Sequence, residues 1–276
     1  MYLIFAVTAL FGMSQSVQAD RTRPSDAPKE QVRVLPVSST PESDSILLTI
    51  AVPKAGETVS KNPMWIQFRV DGYALGADSS QFDRAKEIPV SDMGQTVHVV
   101  IDNNPYFPIN EPAINPFNEE GYYHNTSYKF QVPYSLKDGT HTIRVFPARS
   151  YGESIKGSNT LHAIEFQLGS GSGPSYGADL SAPYLTYNEP SNEMPLRADR
   201  PVLLDFLVTN CELSQDGYKV RLSIDGRVVR TLTSWQPYYI YGLSQGNHTV
   251  RLELLDAAGK LVPGLFNDTR RTISIQ

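Results

Sequence analysis

The chain repeats itself, and that repeat limits what it can fold into. Tyr134-Ser135-Leu136-Lys137-Asp138-Gly139-Thr140-His141-Thr142-Ile143-Arg144 matches Tyr241-Gly242-Leu243-Ser244-Gln245-Gly246-Asn247-His248-Thr249-Val250-Arg251, with Tyr, Leu, Gly, His, Thr and Arg coinciding at a constant offset of 107. Upstream, Val97–Asp102 matches Val220–Asp225, and Pro63–Val70 matches Pro201–Val208. A unit that recurs in the same order is one supersecondary assembly built twice.

The matched segments alternate. Ile66, Phe68 and Val70 share a face, as do Val97, Val99 and Ile101, and Ile143 and Val145, and in the second copy Leu204, Phe206 and Val208, then Val220, Leu222 and Ile224, then Val250, Leu252 and Leu254. Period-two alternation marks strands buried on one face. With turn residues between the runs and no helical-period segment, the pattern predicts an all-β chain of two tandem immunoglobulin-like β-sandwiches. The expected strands are A (Ile46–Val52), B (Met64–Val70), C (Thr96–Asp102), E (Tyr128–Tyr134), F (His141–Phe146) and G (Leu161–Leu168), with A starting near Tyr184 and G at Thr269–Ile275 in the second copy. A strand D is expected between C and E in each.

Around the repeats, composition sets the boundaries. Tyr2 to Met13 is uncharged and apolar, too short to span a bilayer, and Val17-Gln18-Ala19 is a small-x-small cleavage pattern, although no Lys or Arg precedes the run. The expected organisation is a signal peptide over 1–19, a disordered tether over 20–45, a first sandwich with enlarged loops over 46–168, a flexible linker over 169–183 containing Gly169-Ser170-Gly171-Ser172-Gly173, and a second sandwich over 184–276. The chain is therefore expected to be exported (periplasmic, cell-surface or secreted), with no transmembrane segment in the mature form. A net charge of −5 argues against nucleic acid as a partner. The single Cys211 excludes an intramolecular disulfide and reads as a small apolar filler at a strand end.

The Leu-x-x-Gly-x-His-Thr-Ile/Val-Arg pattern resembles the E–F corner of bacterial immunoglobulin-like and fibronectin-III-like domains. With Arg149–Lys156, Ser234–Pro237 and Phe266–Thr269, the chain after residue 45 resembles a family of exported bacterial proteins, cyanobacterial members included, with two such domains. The resemblance implies fold and export. It implies no catalytic residue.

Motifs for chemistry are few. Gly242-Leu243-Ser244-Gln245-Gly246 matches the nucleophile-elbow pattern but falls in a turn between two strands, and Lys137 stands where the first copy would need the serine. His141 and His248 repeat in phase with the core of strand F, which favours a corner role in which each donates to a backbone carbonyl. The other histidines show no metal-ligand spacing, and the acids of the first B–C loop lack a calcium-loop pattern, so no metal, cofactor or catalytic set is assigned. A hydrolase is the least favoured reading.

The two copies differ in their loops. The repeat offset falls from 138 at strand B to 123 at strand C to 107 at strand F, so the first copy carries insertions in both intervals. The B–C loop, Gly72 to Gln95, brings Tyr73 and Phe82. The D–E connection within Pro108 to Asn125 brings Phe117, Tyr122 and Tyr123, and the F–G loop brings Arg149, Tyr151 and Glu153. In an immunoglobulin-type sandwich these loops share one pole, expected here to point away from the second sandwich. Tyr-rich loops on a rigid scaffold suit recognition of a protein or glycan. The leading expectation is a non-catalytic interaction module, with a carbohydrate-binding protein stacking sugars on Tyr122, Tyr123 and Tyr151 as the alternative.

Overall fold

The computed structural model describes residues 31–41, 45–60, 62–110, 127–157, 159–170, 173, 175 and 177–276. The expected signal peptide, most of the expected tether, and Phe117, Tyr122 and Tyr123 lie outside the described residues. Gln31–Gln276 is one compact unit.

The first repeat forms β2 (Leu47–Val52), β3 (Thr58–Val59), β4 (Trp65–Asp71), a one-turn helix α1 (Arg84–Glu87), β5 (Thr96–Ile101), β6 (Phe107–Ile109), β7 (Ser127–Gln131), β8 (Gly139–Ala148) and β9 (His162–Leu168). The second forms β10 (Tyr184–Glu189), β11 (Val202–Thr209), β12 (Lys219–Ile224), β13 (Arg227–Leu232), β14 (Tyr238–Tyr241), β15 (Gly246–Leu255) and β16 (Asp268–Ile275). Upstream of both lies β1 (Arg33–Pro36). The sheets run β2-β4-β7 and β3-β9-β8-β5-β6 in the first sandwich, and β1-β14-β11-β10 and β13-β12-β15-β16 in the second. This is the strand order of fibronectin-III and immunoglobulin-like sandwiches.

The alternation seen in sequence is the core. Ile66, Phe68, Val70, Val97, Val99, Ile101, Ile143 and Val145 meet in one cluster. Leu204, Phe206, Val208, Val220, Leu222, Ile224, Val250, Leu252 and Leu254 meet in the other. Cys211 packs part-buried on the edge of the second core, where burial raises its thiol pKa to about 11.

Several expectations are corrected. The strand between C and E is present in both copies as β6 and β13, but it pairs with the C strand (Val97↔Ile109, Val220↔Leu232) and not with E, so it is a C′ strand. Part of the expected tether is ordered. Arg33–Pro36 adds antiparallel to the free edge of β14, with Val34 opposite Ile240 and its side chain in the second core. A Pro- and charge-rich composition does not register a four-residue strand whose partner lies some 200 residues away. The expected linker also makes backbone contacts in its described residues: Ser175 bridges Thr140, and the Ala178 N–H donates to Thr142 Oγ1 at 3.2 Å.

The largest departure is in how the sandwiches meet. β5, β10 and nearly all of β8 and β11 are buried on both faces, whereas β2 and β16 alternate. The second faces of these strands are buried against each other. Val100, Tyr106 and Phe146 of the first sandwich cluster with Leu207 of the second. Tyr151 and Ile88 cluster with Leu203 and Tyr239. The sandwiches stack face to face, so the pole expected to point away from the second sandwich has its F–G loop lying against it.

Phe68 and Phe206 are fully buried, one per core. Phe68→Ala and Phe206→Ala are each expected to lower stability by about 3–5 kcal/mol in chemical denaturation. A loss below about 1 kcal/mol, the range of surface sites, would contradict the core assignment.

Candidate functional site

Four of the eight residues expected to bind a ligand, Phe82, Arg149, Tyr151 and Glu153, lie at or beside the seam, and Tyr73 packs in the first core. Arg149, Tyr151 and Glu153 are each 5% exposed or less, and Tyr73 is 7% exposed. Phe82 is half-buried beneath the Arg149 guanidinium, 4.4 Å from its ring centroid. Of the eight candidates, these five lie close together in the structure, but they face inward.

Their partners explain why. Glu153 accepts from the Thr40 N–H at 2.8 Å, from Thr40 Oγ1 at 2.6 Å and from Arg84 at 2.5 Å. The Tyr151 hydroxyl also meets Thr40 Oγ1, at 2.7 Å. Arg149 donates to the Pro41 carbonyl at 2.7 Å and to Gln95. Arg84 also donates to the Ser38 carbonyl. The B–C and F–G loops of the first sandwich thus hold the segment that leads from β1, while β1 itself is a strand of the second.

A second buried network continues along the seam. Asn188 pairs with His98 at 2.7 Å and donates to the Gly152 carbonyl and to Asp205. Asp205 also receives Lys156 and the Ser154 N–H and hydroxyl. Burial drives His98 down to about 4, so it is neutral here. Tyr106 stacks on His98 and donates to Glu189 at 2.5 Å, and burial pushes that carboxyl up to about 7. Arg144 is buried against the Phe266 ring and donates to the Leu185 carbonyl at 3.1 Å and to Thr186 Oγ1 at 2.9 Å.

The repeated histidines form the expected corner. His141 Nε2 donates to the Lys137 carbonyl at 2.7 Å, and His248 Nε2 to the Ser244 carbonyl at 2.8 Å. The sequence reading missed the acid. Asp102 and Asp225, already aligned by the repeat, accept from the two Nδ1 atoms at 2.8 and 2.7 Å and from the following backbone N–H. Burial alone lowers both histidine pKa values; the aspartate hydrogen bond, the carbonyl and the aspartate charge outweigh it and raise them.

Ser244, His248 and Asp225 also fall in the order of a nucleophile, base and acid. However, the Nε2 that would take the serine proton is committed to the Ser244 carbonyl, and Ser244 Oγ lies 3.5 Å away. The first copy builds the same corner with Lys137 in place of the serine, so the arrangement serves the turn.

A cleft of about 810 Å³ lies between the β5–β6 turn and β7–β8 loop of the first sandwich and Glu193, Leu265 and Phe266 of the second. Its polar floor is occupied internally. Asp102 and His141 hold each other, Asn104 donates to the Ile101 carbonyl, and Asn103 accepts from Thr269. Phe107, Tyr134, Leu136 and the exposed Leu265 complete the lining, with Lys137 from the first sandwich and Glu193 from the second.

No protein-family model and no curated protein matches the chain. Solved structures do. The fibronectin(III)-like modules of Clostridium thermocellum CbhA are similar at 12% identity and a TM-score of 0.27, over 83% of this chain and 95% of theirs. Dimeric latent PorU from Porphyromonas gingivalis is similar at 14% identity and 0.26, over 94% of this chain but 22% of its own. Bacteroides ovatus SGBP-B, solved with a mixed-linkage heptasaccharide, is similar at 12% identity and 0.20, over 83% of this chain and 47% of its own. At TM-scores this low the likeness carries nothing about ligand or activity.

Two measurements test this geometry. Tyr151→Ser is expected to cost about 3–5 kcal/mol, as loss of a buried aromatic does. An unchanged melting temperature would return Tyr151 to the surface. For the corner, a raised folded-state histidine pKa stabilises fully below the unfolded value of about 6.5 and is lost as pH rises through the folded value. The stability gap between the parent and His248→Gln should therefore be constant in mild acid and shrink as pH rises through neutrality. A gap flat across that range would refute the doubly donating imidazolium.

Proposed function

We propose that the chain is an exported, non-catalytic interaction module. In this reading its two sandwiches act as one rigid body, and its principal recognition site is the cleft at their junction. The observation that supports it is the division of labour among the cleft residues. Asp102 and His141 of the floor bond to each other, and Asn103 and Asn104 bond to neighbouring groups of the protein, leaving largely aromatic and aliphatic surface for a ligand. A sugar needs hydrogen-bonding groups that are free to meet its hydroxyls, whereas an apolar side chain of a polypeptide partner needs a dry wall flanked by charges that set register. Lys137 and Glu193 supply those charges from opposite sandwiches.

Export is carried by the sequence alone: the apolar run Tyr2–Met13 and the Val17-Gln18-Ala19 pattern. Among the described residues no helix is long and apolar enough to cross a membrane. The connection bearing Phe117, Tyr122 and Tyr123 leaves β6 and enters β7 at the opposite pole from the cleft, and we retain it as a second recognition element. A glycan reading would rest on Tyr122 and Tyr123, because Tyr151 is buried.

Leu265 is 50% exposed at the cleft and can be changed with little effect on folding. Mature chain beginning at Asp20, as established by N-terminal sequencing of exported material, is expected to retain a polypeptide partner in pull-down, and Leu265→Asp to lose it at an unchanged melting temperature. Retention of the same partner by the folded variant would remove the cleft from the reading.

A further inference from the structure

The outer face of the sheet β13-β12-β15-β16 carries three arginines, of which its acids hold two by hydrogen bonds. Register fixes the arrangement. Leu252, Val250 and Ile273 point into the core, so Arg251, Thr249 and Glu253 of β15 and Asp268 and Arg270 of β16 point outward. Two cross-strand rows result: Arg221–Glu253–Asp268, and beside it Ser223–Arg251–Arg270.

The acids are fully engaged by two of the three arginines. Arg221 grips Glu253 through two bonds of 2.8 and 2.6 Å. Arg251 grips Asp268 through two of 2.6 Å. Arg270 stands directly opposite Arg251 and acts on Asp268 by charge alone, with no side-chain hydrogen bond among the described residues. Like charges facing each other across a ladder destabilise it unless an anion lies between them. Next to this pair is a concavity of about 430 Å³ lined by Ser223, Thr249, Gly226, Asp225, Arg251 and Arg270. Asp225 also lines it; one oxygen accepts from the Thr249 N–H and the other from His248, both of whose ring nitrogens donate. Two hydroxyls and two guanidiniums are left to face the concavity.

We propose that this concavity binds an oxyanion. Arg270 and the free edge of Arg251 supply charge-assisted donors, and Ser223 and Thr249 supply hydroxyls. A guanidinium fork matches the planar edge of a sulfate, phosphate or carboxylate group. Such a group could belong to an acidic polysaccharide or to a phospholipid head.

The probe is inorganic sulfate, followed by backbone NMR and calorimetry on the mature chain, with sodium chloride at matched ionic strength as blank. Sulfate is expected to shift the amides of Ser223, Thr249, Arg251 and Arg270. Arg270→Ala is expected to weaken binding roughly tenfold, the loss of one charge-assisted hydrogen bond, and Arg270→Lys by less. Arg270 is exposed, so its removal leaves the fold intact, which an unchanged melting temperature verifies. Dextran sulfate and phosphatidylglycerol vesicles then separate the two sources, since Arg270-dependent retention on one and not the other assigns it. No shift beyond the chloride blank, or equal affinity in Arg270→Ala, overturns the site.

Discussion

The structure depends on burying the second face of four strands. A sandwich hides one face of each sheet in its own core and leaves the other to water. Here β5 and β8 turn their outer face to that of β10 and β11, so the chain has three buried layers instead of two. The middle layer is not apolar. Ile88, Val100, Phe146, Leu203 and Leu207, with several tyrosines, are hydrophobic there, and Arg144, His98, Asn188 and Asp205 lie among them. Removing such groups from water costs several kcal/mol per ion, and their mutual attraction roughly offsets that cost when every partner is in place. What the network adds is register. Asn188 can meet His98, Gly152 and Asp205 together in one stacking only. The segment from β1 to Pro41 secures the same register, since one end is a strand of the second sandwich and the other is held by Arg84, Arg149 and Glu153 of the first.

Within each sandwich, the fold was legible because the physics is local. Alternation identified the inward residues of β4, β5, β8, β11, β12 and β15, and the repeat offset aligned the two copies, so Phe68 and Phe206 could be placed in cores before any coordinates. Between sandwiches it was not. The loops of the first copy are rich in Tyr, Arg and Glu, and that composition serves an exposed paratope and a buried polar interface equally well. A signal did exist. Val202-Leu203-Leu204-Asp205-Phe206-Leu207-Val208 is apolar at nearly every position, the mark of a strand covered on both sides, and a half-solvated strand would alternate. Read that way, Leu203 and Leu207 demand a second partner, and the F–G loop is at hand.

The faces that point away from the seam differ from those that form it. The contact joins unlike faces, and a heterologous contact of this kind propagates into open chains unless its free ends are altered. Each free end can be read against its covered counterpart. On the first sandwich's outer sheet, Trp65, Gln67 and Arg69 stand where the second has Leu203, Asp205 and Leu207. Lys129 lies over the Trp65 ring at 5.4 Å, covering it with a charge. On the second sandwich's outer sheet, Arg221, Ser223, Arg251 and Glu253 stand where the first has His98, Val100, Arg144 and Phe146. Val100, Phe146 and Leu207 of the seam are thus matched by polar or charged residues, and Leu203 by Trp65 beneath Lys129. Only the arginine of strand F is common to both copies. In the first it is desolvated against Phe266, and in the second it turns to Asp268 in water. The same repeat position is a buried anchor in one copy and part of a charge lattice in the other. The difference lies in its neighbours: Phe146 supplies an apolar wall, whereas Glu253 supplies a buried carboxylate that pairs with Arg221 and Arg251.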